Sequence, residues 1–159
     1  MTTLVAGPSV RTSITVEAPI DHAFTVFTEK MGSWWVPEHH ILQGELAEMV
    51  FEPRVGGRII DRAVDGTECA WARVLAFEPP NRVVFSWDIS LQWQIQTDPD
   101  KTSEVEVTFV ADGPRRTRVE LEHRNLDRHG DGWEGMRDGV STPDGWQLGL
   151  ERFARAAAA

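Results

Sequence analysis

The sequence predicts an α+β fold in which a curved antiparallel sheet of about six or seven strands wraps around a C-terminal helix. Three features predict it: one short amphipathic helix near the N-terminus, a run of alternating segments with tight turns over 44–124, and helical periodicity from 133 onward. A curved sheet closed by one helix tends to leave an interior gap. Five of the seven tryptophans (Trp34, Trp35, Trp87, Trp133, Trp146) fall where such a gap is lined or lidded.

The elements follow in order. Residues 1–9 read as a frayed start ending at Gly7-Pro8. Val10 to Glu17 alternates, with Val10, Thr12, Ile14 and Val16 on one face, the period of a half-buried strand. Pro19 suits the first position of the next helix, where its missing N–H costs nothing, and Asp21 favours the positive end of the dipole. Ile20, Ala23, Phe24 and Phe27 share one helical face. Gly32 ends that helix or separates it from a short turn carrying Trp34-Trp35, and Pro37 forbids further regular helix.

Strands are expected at Leu46–Glu52, Arg58–Val64, Cys69–Phe77, Arg82–Ile89, Ser103–Ala111 and Thr117–His123. Turn residues separate them: Pro53 to Gly57, Asp65-Gly66, Glu78 to Asn81, a longer connection with Asp98-Pro99-Asp100, and Asp112-Gly113-Pro114. Such short connections predict that sequence neighbours are sheet neighbours. The last segment is helical in two pieces, one with Trp133, Met136, Arg137 and Val140, the other with Trp146, Leu150 and Phe153, broken around Pro143; the alanine tail is expected to fray. No repeat or linker divides residues 1–159, so one domain is expected.

Composition excludes several classes. No apolar run approaches the ~20 residues that span a bilayer, and MTTLVAGPSVRTS lacks the pattern of a secretory signal. The single cysteine, Cys69, rules out an intramolecular disulfide and suits a reducing cytoplasm. A net charge of −9 with scattered arginines gives no footprint for a phosphate backbone, so nucleic acid is not an expected partner. An acidic homodimer is compatible with the sequence but nothing specifies it.

The chain resembles the helix-grip superfamily of START and Bet v 1-like (SRPBCC) domains. Within it the chain is similar to the bacterial branch named after the activator of Hsp90 ATPase homologue 1. Carriers of the resemblance are Val16-Glu17-Ala18-Pro19, Ala23-Phe24, Phe27-Thr28, Trp34-Trp35, the run Glu52 to Arg58, the run Glu78 to Trp87, and Gly145-Trp146 with Leu150 and Phe153. They span about residues 10–155. The resemblance implies a cavity between sheet and C-terminal helix and no cofactor, and it supplies no catalytic residue. Superfamily relatives include lipid binders, cyclases and hydrolases.

The expected pocket is lined by Phe27, Trp35, Trp71, Arg73, Phe85, Trp87, Trp133, Met136, Trp146 and Leu150, with Trp34, His39, His40 and Trp93 at its rim. Indoles offer a large apolar face and one N–H donor but nothing titratable. Trp71 also reads as plain core. Adjacent indoles cannot both face inward from a regular helix, so one of Trp34 and Trp35 is expected to be exposed or to lid the mouth. His39 and His40 lack the i, i+4 spacing of paired metal ligands, and His123 and His129 match no metal signature, so no metal is expected. Cys69 reads as a small buried hydrophobe. Arg73 reads as a sheet-edge arginine reaching water, or as an inward cation paired with Glu104 or Glu106.

The favoured function is non-enzymatic binding of a small, largely apolar or aromatic molecule in a hydrophobic cavity. Two alternatives stand beside it. One is a cyclase- or hydrolase-like enzyme acting on an aromatic or polyketide-like substrate through Arg73, His39, His40 or Glu104. The other is a stress-response or co-chaperone-type interaction module with an exposed apolar patch.

Overall fold

The computed structural model describes residues 3–36 and 39–159, so the expectation for Pro37 lies outside the described residues. The fold is α+β. One antiparallel sheet holds eight strands: β1 (Leu4–Ala6), β2 (Ser9–Val16), β3 (Leu46–Phe51), β4 (Arg58–Ala63), β5 (Glu68–Glu78), β6 (Arg82–Trp87), β7 (Ser103–Ala111) and β8 (Thr117–Arg124). Among the described residues three α-helices accompany it: α1 (Ile20–Phe27), α2 (Trp133–Ser141) and α3 (Leu148–Ala158). Among the described residues no helix is long and apolar enough to cross a membrane.

The N-terminus is a correction. Leu4–Ala6 is not frayed but turns through Gly7, at φ +55°, to pair with β2, raising the strand count above the expected six or seven. The spatial order β1-β2-β8-β7-β6-β5-β4-β3 also departs from simple neighbour pairing at one step. After β2 the chain crosses through α1 to the far edge, and β8 returns to fill the place beside β2. Everything between β3 and β8 is a meander. Pro19 sits one position earlier than expected, as the cap preceding Ile20.

The sheet's two faces follow from period-2 alternation. On β7, Ser103, Val105, Val107 and Phe109 are buried while Glu104, Glu106 and Thr108 are only half-buried. Facing them across β8 are His123, Leu121 and Val119. The outer face is held by ion pairs, with Glu106 between Arg82 and Arg124, and Glu104 between Arg124 and Arg128.

Two helices close the inner face. Phe24 of α1 packs against Phe77 and Phe109, and Phe27 stacks edge-on against Phe109 and Phe153. Gly149, Leu150, Phe153 and Ala157 form the buried stripe of α3, so the helix stays packed almost to its end where fraying was expected. Phe153 is wholly buried between Phe27 and Trp34. Phe153→Ala should therefore cost about 3–5 kcal/mol, read as a lower urea midpoint with little change in slope.

Candidate functional site

The structure opens a pocket of about 550 Å³ between the sheet, the break joining α2 to α3, and the loop after the Trp34-Trp35 pair. Its inner wall is aromatic. Trp35 packs against Trp71 with ring centres 5.0 Å apart and against Trp146 at 5.7 Å, and Trp87 meets Trp146 at 5.6 Å. Trp35, Trp87 and Trp146 line the pocket, whereas Trp71 lies behind them.

Local backbone explains each placement. Met31–Ser33 is a tight 3₁₀ turn in which the N–H groups of Trp34 and Trp35 both donate to the Met31 carbonyl. The two indoles leave that turn in different directions, and both are buried. Trp34 is neither exposed nor a lid: it is 1% exposed, under α1, with Nε1 donating to the Val26 carbonyl. The limit for a regular helix does not apply, because this segment is not one.

Trp146 is placed by the break after α2. Pro143–Gln147 forms a kinked wide turn, and Gly145 inside it is non-helical. A Cβ on Gly145 would stand 2.2 Å from the Val140 carbonyl oxygen, so only glycine allows this approach. Trp93 sits at the tip of a small hairpin beyond β6, with Ile89 bridged to Ile95. It has φ +58° and is 52% exposed, standing at the mouth.

His39 and His40 line the mouth, together with Ile41 to Gln43. His40 Nδ1 lies 2.6 Å from Asp61 Oδ2. Asp61, on β4, is 1% exposed, and its second oxygen accepts from Trp71 Nε1 at 3.2 Å. A buried carboxylate thus holds one histidine of the mouth and one indole behind the wall.

A second polar chain backs the floor. Trp146 Nε1 donates to His123 Nδ1 at 3.1 Å, which places the His123 proton on Nε2. Nε2 then donates to Ser103 Oγ at 2.7 Å, and the hydroxyl donates to His129 Nε2 at 2.8 Å. The chain ends on His129 Nδ1, a buried donor with no acceptor among the described residues, as is Trp87 Nε1. Burial, with His129 adding to it, pushes His123 down to about 3. Burial likewise lowers His129, against the pull of Asp88.

The remaining expected residues lie apart from the pocket. Phe27, Phe85 and Leu150 are in the core with no exposure, and Met136 is 3% exposed beside them. Trp133 is half-buried with the Arg137 guanidinium 5.1 Å from its ring centre. Arg73 is bidentate to Asp88, both contacts at 3.0 Å, with Thr102 completing the set. Its hydrogen-bonded partner is Asp88 rather than Glu104 or Glu106, with Glu104 adding only to the surrounding negative field; a bulge on β5 between Ala70 and Ala72 breaks strict alternation just before Arg73. No group of three or more histidine, cysteine or acidic side chains suited to a metal occurs among the described residues.

Sequence reasoning missed Asp61, Ser103 and the roles of His123 and His129. For His123 a signal existed: it continues the inward series Val119, Leu121 on β8. For Asp61 there was none, since burial there depends on β4 packing beneath the mouth loop.

The model of the activator of Hsp90 ATPase homologue 1-like family matches residues 17–158. The chain belongs to that family. Among solved structures it is similar to the anthrahydroquino-gamma-pyrone synthase Txn09, at 44% identity and a TM-score of 0.66, covering 93% of this chain and 96% of that one. It is also similar to CalC of Micromonospora echinospora, a self-sacrificing resistance protein, at 28% identity and a TM-score of 0.60, covering 94% of each chain. Ms6760 of Mycobacterium smegmatis, at 14% identity and a TM-score of 0.68 over 98% of this chain and 95% of that one, shares the fold alone. No curated protein gives a significant match.

The buried histidines make stability depend on acid. Unfolded, each takes up a proton near pH 6.5, while folded His123 stays neutral to about 3. Acidification between those values therefore favours the unfolded chain, by an amount on the order of 4 kcal/mol for His123 alone. Urea midpoints should fall steadily as pH drops from 6.5 toward 3, and His123→Gln should flatten that slope.

Proposed function

We propose that this protein binds a flat, polycyclic aromatic ketide-type molecule in the Trp35–Trp87–Trp146 pocket and closes an oxygen-containing ring on it. The observation that carries the reading is the indole-walled pocket of about 550 Å³, a volume that suits a three- or four-ring aromatic. The 44% identity to an anthrahydroquino-gamma-pyrone synthase supports catalysis over the simple binding favoured by sequence alone. Indole faces supply stacking and apolar burial to such a ring system, and Trp87 Nε1, a buried donor with no acceptor among the described residues, suits a molecule carrying carbonyl oxygens. The single cysteine, Cys69, fits action in a reducing cytoplasm.

The reaction class is an intramolecular addition. A phenolic oxygen attacks an unsaturated side-chain carbon conjugated to a ketone. One O–H bond breaks, one C–O bond forms, and the proton ends on the carbon beside the ketone. Nothing is oxidised or reduced, and no co-reactant is consumed. The pocket contributes by holding the side chain against the ring, which converts a rare conformer into the bound one.

Gly149 provides the test. A Cβ built there meets only Trp34, at 3.8 Å, and the residue lines the pocket. Gly149→Met should fill the space and weaken binding of 2-hydroxyanthraquinone at least about tenfold, measured by quenching of indole fluorescence. Thermal melts establish that the variant folds, since the added side chain extends into open pocket space rather than into backbone. Unchanged affinity would put the ligand elsewhere. Ring closure is read separately, with a phenol bearing an ortho unsaturated ketone: absence of acceleration would leave binding alone, as in a protein that sequesters its ligand.

A further inference from the structure

The geometry points to His40, oriented by Asp61, as the group that carries the proton in this pocket. The assignment rests on the ring-closure reading above and deepens it by naming the acid–base residue.

The Asp61 carboxylate, 1% exposed on β4, is costly unless its oxygens are engaged. Both are: Oδ1 accepts from Trp71 Nε1, and Oδ2 faces His40 Nδ1 at 2.6 Å. That contact fixes the imidazole. With Nδ1–H directed at the carboxylate, Nε2 is the nitrogen left with a lone pair, and among the described residues no hydrogen bond engages it. A carboxylate behind a histidine sets the tautomer and stabilises the imidazolium once a proton arrives.

Position completes the case. The His40 ring is 9% exposed and forms part of the pocket lining, so it reaches a bound molecule without being washed by bulk water. The indole anchored by the same carboxylate, Trp71, packs 5.0 Å from Trp35 of the wall. The dyad and the binding surface are thus joined through Trp71. Other titratable groups nearby are His39 and Asp144 of the lining, and Cys69, which pairs with Asp61 across the strands and whose thiol is pushed up by burial and by that carboxylate. The second buried chain ends on Trp146 through an N–H donor and cannot accept a proton from the ligand.

The step balances within the pocket. His40 Nε2 takes the phenolic proton as the oxygen attacks, the π electrons of the side chain move toward the ketone, and the imidazolium returns the proton to the carbon beside it. General acid–base help of this kind is worth about 10²–10⁴ in rate.

2-Hydroxyanthraquinone tests the assignment because its phenolate absorbs at longer wavelength than its phenol. Near neutral pH, the phenolate-to-phenol ratio of the bound probe should be at least about tenfold higher in the wild type than in His40→Gln. Binding itself, from indole quenching, should weaken by less than about tenfold. Asp61→Asn should also lower the phenolate signal, because an amide lets the imidazole turn Nε2–H toward the ligand. Thermal melts establish that both variants fold. Equal ratios in wild type and His40→Gln, with probe bound in both, would overturn the assignment and leave the binding reading standing. No quenching in the wild type would overturn both.

Discussion

A continuous helix from Trp133 to Ala158 would lie across the curved sheet and seal its inner face, and the sequence forbids it. Pro143 has no N–H for a helical bond, and its ring clashes with the preceding turn. Gly145 brings the backbone so close to Val140 that any side chain would collide with the carbonyl. The chain therefore breaks between α2 and α3, Trp146 swings in at the break, and a gap stays open beneath it. The pocket, its aromatic wall and its polar backing all depend on that interruption.

Once Trp146 is inside, its N–H needs an acceptor, and the nearest inward position on β8 provides a histidine rather than another valine. Burying neutral His123 is expensive in acid but gives the indole one orientation. The relay through Ser103 to His129 extends the same logic across the sheet end. Asp61 does for Trp71 and His40 what His123 does for Trp146. His123 and Asp61 each fix an indole, which gives Trp146 and Trp71 one orientation each.

Much of this was legible in the residues. Alternation located β2, β7 and β8 to within a residue, and the helix period of Ile20, Ala23, Phe24 and Phe27 identified the buried face of α1. The edges were less readable. Leu4–Ala6 is too short to show a period, and its strand exists only because β2 presents an open edge. The jump from β2 to the far edge has no local signal either. A bulge in β5 between Ala70 and Ala72 hid the pairing of Arg73 with Asp88, since a one-residue slip changes the face of every following side chain.

The candidate site was half visible. Trp35, Trp87 and Trp146 stand on the wall, and His39, His40 and Trp93 at the mouth, because indoles beside chain breaks have few other places to go. Asp61 was not visible, as a carboxylate between Ile60 and Arg62 reads as an outward strand residue until the mouth loop covers it. If one pocket, walled by particular indoles, receives the ligand, the indole N–H signals of a ¹⁵N-labelled sample report it residue by residue. On adding 2-hydroxyanthraquinone, the signals of Trp35, Trp87, Trp93 and Trp146 should move, while those of Trp34, bonded to Val26, and Trp133, outside the lining, should not. Shifts confined to Trp133, or none at all, would contradict the account.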